Sequence, residues 1–282
     1  MNFRPMTPRT GAEVLDIDVR MAGPASFQQL REALARYKVL YIRNQHLDTE
    51  QLCVFSRGFG PLVRVPFIEP MKENAHVIAV LKEANETNRG VFGGDWHSDF
   101  SFLPQPPMAS ILYSIEVPEV GGDTVWTNMA AAYAALPEVT KRFLKGRKVI
   151  HTGKPYGIAH APAPETRCNG SIKMERNNPA ADEETVHPAV CRHPDTGEPM
   201  LFVSPTYTTR FGDLSEAQSE PILQEIYTHS TQPEFTCRYR WQADTIALWD
   251  NRATMHCAIN DYDGYRRLLW RTTIAGHPPL AH

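Results

Sequence analysis

The sequence predicts a mainly β fold with helical decoration, of the β-sandwich or jelly-roll type. Short apolar or alternating segments recur along the chain, and Gly, Pro, Asn and Asp residues separate them. Only a few segments have helical periodicity. The 282 residues fall within the range of one large β-rich domain, and no stretch has the composition of an interdomain linker. We therefore predict a single domain over residues 1–282.

In the first half of the chain, predicted strands and helices alternate. Residues 27–37 repeat apolar side chains at helical spacing, and Asp48 followed by Gln51 has the form of a capping box that opens a second helix. Pro137 divides the helical segment 128–144 into two pieces, because proline breaks a helix interior. The predicted strands of this half are residues 12–19, 39–42, 76–81 and 110–117.

The second half is richer in predicted strands. Residues 155–182 have no clear period and are rich in Pro, Ala, Asn and Gly, and loops of this length often cover a functional site. We predict a mobile lid there. Ser215 is placed to cap a helix over residues 215–229. The predicted strands are residues 186–191, 200–204, 236–241, 245–249 and 267–274.

Composition and charge exclude several classes of protein. Apolar residues make up 42% and charged residues 22% of the chain, which is typical of a globular protein with a sizeable core. The net charge of −3 favours neither a nucleic acid nor an anionic membrane surface as a partner. No apolar run reaches the roughly 20 residues that a membrane-spanning helix needs. The sequence leaves a homo-oligomer open.

The cysteine pattern indicates a reducing compartment. The number of cysteines is odd, and no two have the C-x-x-C spacing of many metal or redox sites. The N-terminal residues also lack the apolar region of a secretory signal, so we expect a cytoplasmic protein. The five cysteines are Cys53, Cys168, Cys191, Cys237 and Cys257.

Three H-x-D triplets are candidates for part of an iron site. Iron(II) oxygenases hold the metal with two imidazoles and one carboxylate, and H-x-D on a strand directs both side chains to one face. Asp48 already serves as a helix cap, and His193-Pro-Asp-Thr-Gly is a turn sequence. His97-Ser-Asp99 lies in GGDWHSDFSF, where no turn or cap accounts for it. We predict that His97 and Asp99 are metal ligands.

His256 is the candidate for the third ligand. It follows a predicted strand and the turn Asp250-Asn-Arg252, although a lone histidine is more often a hydrogen-bonded core residue. Arg267 and Arg271 strengthen the assignment, because residues four apart on a strand share a face and buried guanidinium groups require anionic partners. Structural salt bridges would satisfy them, but a dicarboxylate co-substrate and an acidic substrate explain both arginines together.

Several motifs in this order resemble the taurine dioxygenase family of 2-oxoglutarate-dependent oxygenases, which also includes enzymes that degrade phenoxyalkanoate herbicides. The resemblance runs over nearly the whole chain. The stretches that carry it are Trp96-His-Ser-Asp99, Gly121-Gly-Asp-Thr124, Phe202-Val203, Thr208-Thr-Arg210 and Trp249-Asp-Asn-Arg252 through His256 to Arg271.

The resemblance implies a fold, three cofactors and a set of roles. The fold is a double-stranded β-helix, and His97, Asp99 and His256 are the ligands of Fe(II). Thr124 and Arg267 hold the distal carboxylate of 2-oxoglutarate, which reacts together with O2. Arginine suits a carboxylate because its planar fork donates two parallel hydrogen bonds. By the same resemblance, Arg271 lies near the anionic group of the primary substrate.

The resemblance fails at three substrate positions of the taurine-specific enzymes. A histidine and a tyrosine of their pocket are matched here by Val65 and Ile68, and an asparagine is matched by Gly93. With Phe67 these residues predict an apolar wall, although ordinary core packing explains Val65–Ile68 equally well. The Glu83–Glu86 segment resembles the branch of the family that acts on aryloxyalkanoates.

We therefore expect oxidation of a C–H bond in a small anionic organic substrate, with release of succinate and CO2. An aryloxyalkanoate is the first candidate, and an alkyl sulfonate, an alkyl sulfate or taurine is the alternative. Two other classes remain. A zinc hydrolase on the same ligands leaves Arg267 and Arg271 without a role, and a non-catalytic jelly-roll binding protein predicts degraded ligand positions, whereas all three are present.

Overall fold

A computed structural model of the protein describes residues 1–87, 90–160 and 170–282. Within these ranges most ordered elements are short strands, and the α-helices pack around them. The prediction of a mainly β fold with helical decoration is confirmed.

The largest sheet has seven strands, and its central strands are buried on both faces. Successive side chains of a strand point to opposite faces. Tyr41 and Trp249 therefore enter one apolar cluster, while Leu40 and Leu248 enter another on the opposite side of the sheet. In spatial order the strands are β1 (Asn2–Pro5), β2 (Ala12–Leu15), β3 (Val39–Ile42), β13 (Ile246–Asp250), β5 (Ala109–Glu116), β15 (Arg267–Ile274) and β4 (Ile78–Lys82).

A three-stranded sheet faces the seven-stranded one, and the first apolar cluster lies between them. Tyr41 stacks on Tyr239 at 4.0 Å between ring centroids, and Trp126 contacts Trp249 at 5.8 Å. The facing sheet has the order β12 (Thr236–Tyr239), β6 (Thr124–Asn128) and β14 (Thr254–Ala258). The other described strands form two smaller sheets. One has the order β11 (Thr208–Phe211), β7 (Lys148–His151) and β8 (Thr185–Pro188), and the other is the pair β10 (Pro199–Leu201) and β9 (Val190–Arg192).

Local signals predict the ends of most helices, but the helix predicted over residues 27–37 begins earlier, at Pro24, because proline is favoured in the first turn. Asp48 and Gln51 form the predicted capping box, and the Ser215 side chain accepts a hydrogen bond from the Gln218 amide. Pro137 separates two short helices, as predicted. Among the described residues, no helix combines the length and apolar character that a membrane crossing requires. The α-helices are α1 (Pro24–Tyr37), α2 (Thr49–Arg57), α3 (Met129–Ala135), α4 (Glu138–Leu144) and α5 (Glu216–Ser230).

Three predicted strands need correction. The strand predicted over residues 200–204 ends at Leu201. The strand predicted over residues 12–19 ends at Leu15, because Asp16 has a positive φ of 60° and the Asp18 side chain caps a short 3-10 turn. The strand predicted over residues 186–191 is divided into β8 and β9, which belong to different sheets. The pattern also missed five strands, which are β1, β6, β7, β11 and β14.

The predicted lid falls partly outside the described residues, since residues 161–169 lie beyond them. The described parts pack on the domain. Residues 173 and 175 exchange main-chain hydrogen bonds with Glu69 and Phe67, and Ile172 is buried. The Asp182 carboxylate accepts hydrogen bonds from the main-chain amides of Ile158 and Ala159. Both ends of the segment are therefore anchored in this structure.

Candidate metal and co-substrate site

The structure brings His97, Asp99 and His256 together in the interior. His97 pairs with β14 through main-chain hydrogen bonds in both directions with His256, of 3.0 and 2.8 Å. The Nε2 atoms of the two histidines lie 3.5 and 3.8 Å from Oδ1 of Asp99, and all three residues are buried. These separations are too long for good hydrogen bonds but suit atoms that share an ion, because ligand bonds of about 2.1 Å place neighbouring ligand atoms about 3 Å apart.

Hydrogen bonds fix the direction in which each candidate ligand points. Nδ1 of His97 donates to the Asp95 carbonyl at 2.7 Å, which leaves the lone pair on Nε2 free. The main-chain amide of Asp99 donates to Oδ1 of Asn251, and Nδ2 of Asn251 donates to the main-chain carbonyl of Asp99 at 2.9 Å. Ser110 donates to Oδ2 of Asp99 at 2.8 Å, so Oδ1 faces the histidines.

The protonation states also fit a metal. Burial by itself raises the pKa of Asp99, but the charge of Arg271, aided by the two histidines, holds that pKa well below its usual range. Burial, together with the neighbouring His97, lowers the pKa of His256 well below its ordinary value. The site thus offers an ionised carboxylate and a neutral imidazole, the donor forms that bind iron(II).

The other two H-x-D triplets serve structural purposes. His193 uses both ring nitrogens, because Nε2 donates to Asp250 at 2.9 Å and Nδ1 accepts from the amides of Asp195 and Thr196. Arg252 neutralises Asp195 and Asp250 at 2.7 and 2.6 Å, so this second cluster of possible ligands is a salt-bridge network. In the third triplet, His46 is exposed and Asp48 caps α2.

A narrow cavity beside the triad holds the predicted co-substrate residues. Thr124 and Arg267 line it together with His97 and His256. The guanidinium of Arg267 lies 3.5 Å from the Thr124 hydroxyl and contacts Trp241. Burial lowers the pKa of Arg267, and within the described part of the chain this guanidinium has no salt bridge. Tyr262 and Asp123 partly offset this effect of burial, but Nε of Arg267 has no hydrogen-bond partner among the described residues, and a bound anion would supply one.

Arg271 differs from Arg267 although both lie on the buried face of β15. Nη2 of Arg271 forms a salt bridge of 2.9 Å with Oδ2 of Asp99 and a hydrogen bond of 3.1 Å with Ser110. The sequence argument that Arg271 needs a substrate anion is therefore weaker than expected, because the protein supplies one. Its predicted contact with substrate stays a prediction.

His97 and Asp99 also line a larger cavity of about 300 Å³. Gly93 lines both cavities, and a Cβ added there would lie 3.1 Å from Cε1 of His97. Its φ of +73° also disfavours any other residue. The sequence predicts no substrate contact for the other side chains that line the larger cavity, among them Phe92, Phe100, Tyr156, Met174, Arg176, Thr206, Tyr207 and Asn260.

Val65, Phe67 and Ile68 do not line either cavity, contrary to the predicted apolar wall of the pocket. Val65 and Ile68 are buried in the first apolar cluster, and Phe67 packs against it. The ring of Phe67 stacks on Tyr156 at 5.3 Å between ring centroids. Phe67 therefore packs against a residue that lines the larger cavity but does not line that cavity itself. Ordinary core packing, the alternative for this segment, describes their contacts better.

Three residues of the site that were not predicted lie in or beside segments that the sequence had already singled out. Tyr156 lies in the predicted lid, Tyr207 directly precedes the Thr208-Thr-Arg210 motif, and Asn251 lies within the Trp249–Arg252 motif. The motifs were recognised, but no role followed from them, because which side chain enters a cavity depends on the tertiary structure.

Comparisons with known proteins agree with this geometry. Residues 2–273 match the family model described as taurine catabolism dioxygenase TauD, TfdA family. The chain is 33% identical over 280 residues to an alkylsulfatase of Acinetobacter baylyi, covering 98% of this chain and 85% of that protein. It is also 33% identical over 285 residues to an alpha-ketoglutarate-dependent sulfate ester dioxygenase of Pseudomonas putida, with 99% and 91% coverage.

A third relative and a solved structure complete the comparison. The alpha-ketoglutarate-dependent 2,4-dichlorophenoxyacetate dioxygenase of Cupriavidus pinatubonensis is 29% identical over 287 residues, covering 95% of this chain and 96% of that protein. The crystal structure of a taurine dioxygenase from Burkholderia xenovorans superposes with a TM-score of 0.82 at 31% identity, covering 99% of this chain and 92% of that one. The protein therefore belongs to the TauD, TfdA family and is an Fe(II)- and 2-oxoglutarate-dependent dioxygenase.

Proposed function

We propose that this protein oxidises a C–H bond of a small organic anion and that alkyl sulfate esters are its first class of substrate. One observation carries the proposal. The buried His97, Asp99 and His256 triad adjoins a buried guanidinium, that of Arg267, which has no salt bridge among the described residues, and a separate cavity opens beside it. This arrangement supports a site that holds a metal, a dicarboxylate and a substrate at separate positions.

We propose residue roles on this basis. His97, Asp99 and His256 bind Fe(II), while Thr124 and Arg267 bind the distal carboxylate of 2-oxoglutarate. When bound, the iron with 2-oxoglutarate and O2 supplies the oxidation of the substrate C–H bond, and succinate and CO2 leave.

The protein contributes orientation and exclusion of water. Ser110 and Arg271 hold one oxygen of Asp99, so that the other faces the histidines. Trp126 and Trp249 pack at 6.2 and 4.8 Å from the ring of His256 and shield that side of the site. A dry, rigid surrounding of this kind strengthens the electrostatic contacts of bound anions.

The lining of the larger cavity supports the order of the substrate candidates. Tyr156, Tyr207 and Arg176 give it more polar character than the sequence predicts, which suits a sulfate group. The two sulfate-ester relatives also have higher identity than the phenoxyacetate relative. Aryloxyalkanoates are the second candidate, because Phe92 and Phe100 offer aromatic surface.

A comparison of substrates tests the proposal. We expect alkyl sulfates to have kcat/KM values at least about 10-fold above that of taurine, since the ammonium group of taurine would lose its hydration in a cavity that the cationic Arg176 lines. Substrate-dependent succinate formation with hexyl sulfate, phenoxyacetate, hexyl sulfonate and taurine gives the ranking. Taurine as the best substrate would contradict the proposal and would point to Asp95, at the exposed edge of the cavity, as the partner of its ammonium group.

We further propose that residues 1–282 form one domain with the double-stranded β-helix fold of the family. The four cysteines in the described ranges are free thiols, which supports a cytoplasmic location. The facing sheets, with the metal triad at one end of the apolar cluster between them, support the fold assignment.

We also propose that residues 155–182 act as a cover that becomes more ordered when substrate binds. Tyr156, Met174 and Arg176 line the larger cavity, so a bound substrate contacts this segment. Lys173 is exposed and offers a trypsin site. We expect substrate, added anaerobically with Fe(II) and 2-oxoglutarate, to slow cleavage after Lys173 several-fold, as read by mass spectrometry. Cleavage at an unchanged rate would contradict the cover.

A further inference from the structure

Two buried tyrosines from different segments meet in the wall of the larger cavity. Tyr156 lies in the proposed cover, and Tyr207 directly precedes β11. Their exposed fractions are only 2% and 3%, yet both line the cavity together with His97 and Asp99. A cavity with a few convergent polar groups on an aromatic wall is the usual form of a small-molecule site.

The rings of both tyrosines are held in place by other aromatic rings. Tyr156 lies 5.3 Å from Phe67 and 6.3 Å from Phe100 between ring centroids, with near-parallel planes in the second pair. Tyr207 packs 5.1 Å from Phe102 and meets His97 edge-on at 6.3 Å. The two hydroxyl groups are therefore fixed before a substrate arrives, which lowers the entropy cost of binding.

The two phenols interact, because the Tyr156 and Tyr207 side chains share a hydrogen bond. When Tyr207 is the donor in this bond, the proton of Tyr156 is available to a ligand. Burial raises the pKa of Tyr156 to about 12 and the pKa of Tyr207 well above its ordinary value. Both phenols are thus neutral donors at physiological pH.

The charges around Tyr156 favour an anion as the acceptor. Arg271 and Arg176 both stabilise negative charge at the Tyr156 oxygen, whereas Asp99 opposes it. Arg176 itself lines the cavity. An anionic oxygen beside Tyr156 would therefore meet a hydroxyl donor in a cavity that Arg176 also lines, and hydrogen bonds to charged acceptors are stronger than those between neutral groups.

We propose that the Tyr156 hydroxyl donates a hydrogen bond to an oxygen of the substrate's anionic group, and that Tyr207 is the positioning residue that orients this hydroxyl. The ligand class is a compact sulfate or carboxylate head on an apolar body. This inference rests on the proposed function, because it assigns a binding contact within the same substrate cavity.

Equilibrium binding of hexyl sulfate under nitrogen, to protein loaded with Fe(II) and 2-oxoglutarate, tests the contact. Tyr156→Phe keeps the ring and removes the donor, so we expect Kd to rise about 10- to 100-fold. Tyr207→Phe should raise Kd about 2- to 10-fold, and the double variant should match Tyr156→Phe, because Tyr207 acts through Tyr156. Tyr239→Phe, a buried tyrosine that lines neither cavity, should leave Kd unchanged.

The outcomes separate this contact from the proposed function. If the wild-type protein binds neither hexyl sulfate nor phenoxyacetate, the proposed substrate class fails and the contact fails with it. If the wild type binds hexyl sulfate and Tyr156→Phe binds it equally well, only the contact is overturned. The Kd of 2-oxoglutarate should stay within about two-fold in both variants. A parallel loss of 2-oxoglutarate affinity would indicate a collapsed wall and would also overturn the assignment.

Discussion

His256→Ala is expected to abolish substrate-dependent succinate formation and to weaken iron binding strongly. The substitution removes one of three proposed protein ligands. The two that remain cannot supply the two imidazoles and one carboxylate that hold Fe(II) on one face. His97→Ala should have the same effect, since Nε2 of both histidines faces Oδ1 of Asp99. Iron content after anaerobic reconstitution and succinate release are the two measurements.

Asp99→Ala is the third variant, but its result has two causes. The substitution removes a proposed ligand and also leaves the buried guanidinium of Arg271 without its salt bridge. Loss of one partner from a buried ion pair is strongly destabilising, by about 3–5 kcal/mol. The two histidine variants therefore give the cleaner test of the metal site.

Two other histidines provide matched controls. His46→Ala removes an exposed imidazole and should retain wild-type iron content and activity. His193→Ala removes an imidazole that is buried and paired with a carboxylate, so it should lower the melting temperature while the folded protein still binds iron. Iron loss in His46→Ala equal to that in His256→Ala would refute the assignment of His256.

Features with a local cause could be predicted from the sequence. The capping boxes of Asp48 and Ser215 and the break at Pro137 depend on residues within one turn of each other. The buried strands β3 and β13 are continuous apolar runs, and such runs are informative by themselves. The grouping of His97 and Asp99 with His256 could be predicted, because His97 and Asp99 occur in a context without a structural explanation.

Other features depend on contacts between distant parts of the chain. Strands β6 and β14 contain several polar residues, so their periodicity is weak, and they form because they pair with each other. His256 therefore lies on a strand where the sequence indicated only the end of a turn. The sequence also could not tell whether Val65 and Ile68 face the substrate or the core, since both environments favour the same apolar side chains.

The salt bridge between Arg271 and Asp99 shows a related limit of sequence reasoning. The sequence correctly placed Arg267 and Arg271 on one buried face of β15. It assigned an external anion to each, because the position of Asp99 relative to the strand was unknown. Of these two arginines, Arg267 is the one without a salt bridge to a described residue, and this difference makes it the better arginine for a test of ligand binding.

Arg267→Ala is expected to raise the Kd of 2-oxoglutarate about 10- to 100-fold, because a carboxylate would lose a charge-assisted hydrogen-bonding partner. Thr124→Ala should act in the same direction but more mildly. The weak visible absorption band that 2-oxoglutarate forms with Fe(II) under anaerobic conditions gives Kd directly, and a zinc site could not produce this band. The band itself therefore also tests the proposed metal.

Arg266, which directly precedes β15, provides the matched control. It is partly exposed and forms salt bridges with Glu83 and Glu116. Arg266→Ala should leave the Kd of 2-oxoglutarate unchanged. The melting temperature adds an independent readout, since 2-oxoglutarate should stabilise the iron-loaded wild type and the Arg266 variant, but much less the Arg267 variant. Equal 2-oxoglutarate affinity in the Arg266 and Arg267 variants would show that the distal carboxylate binds elsewhere.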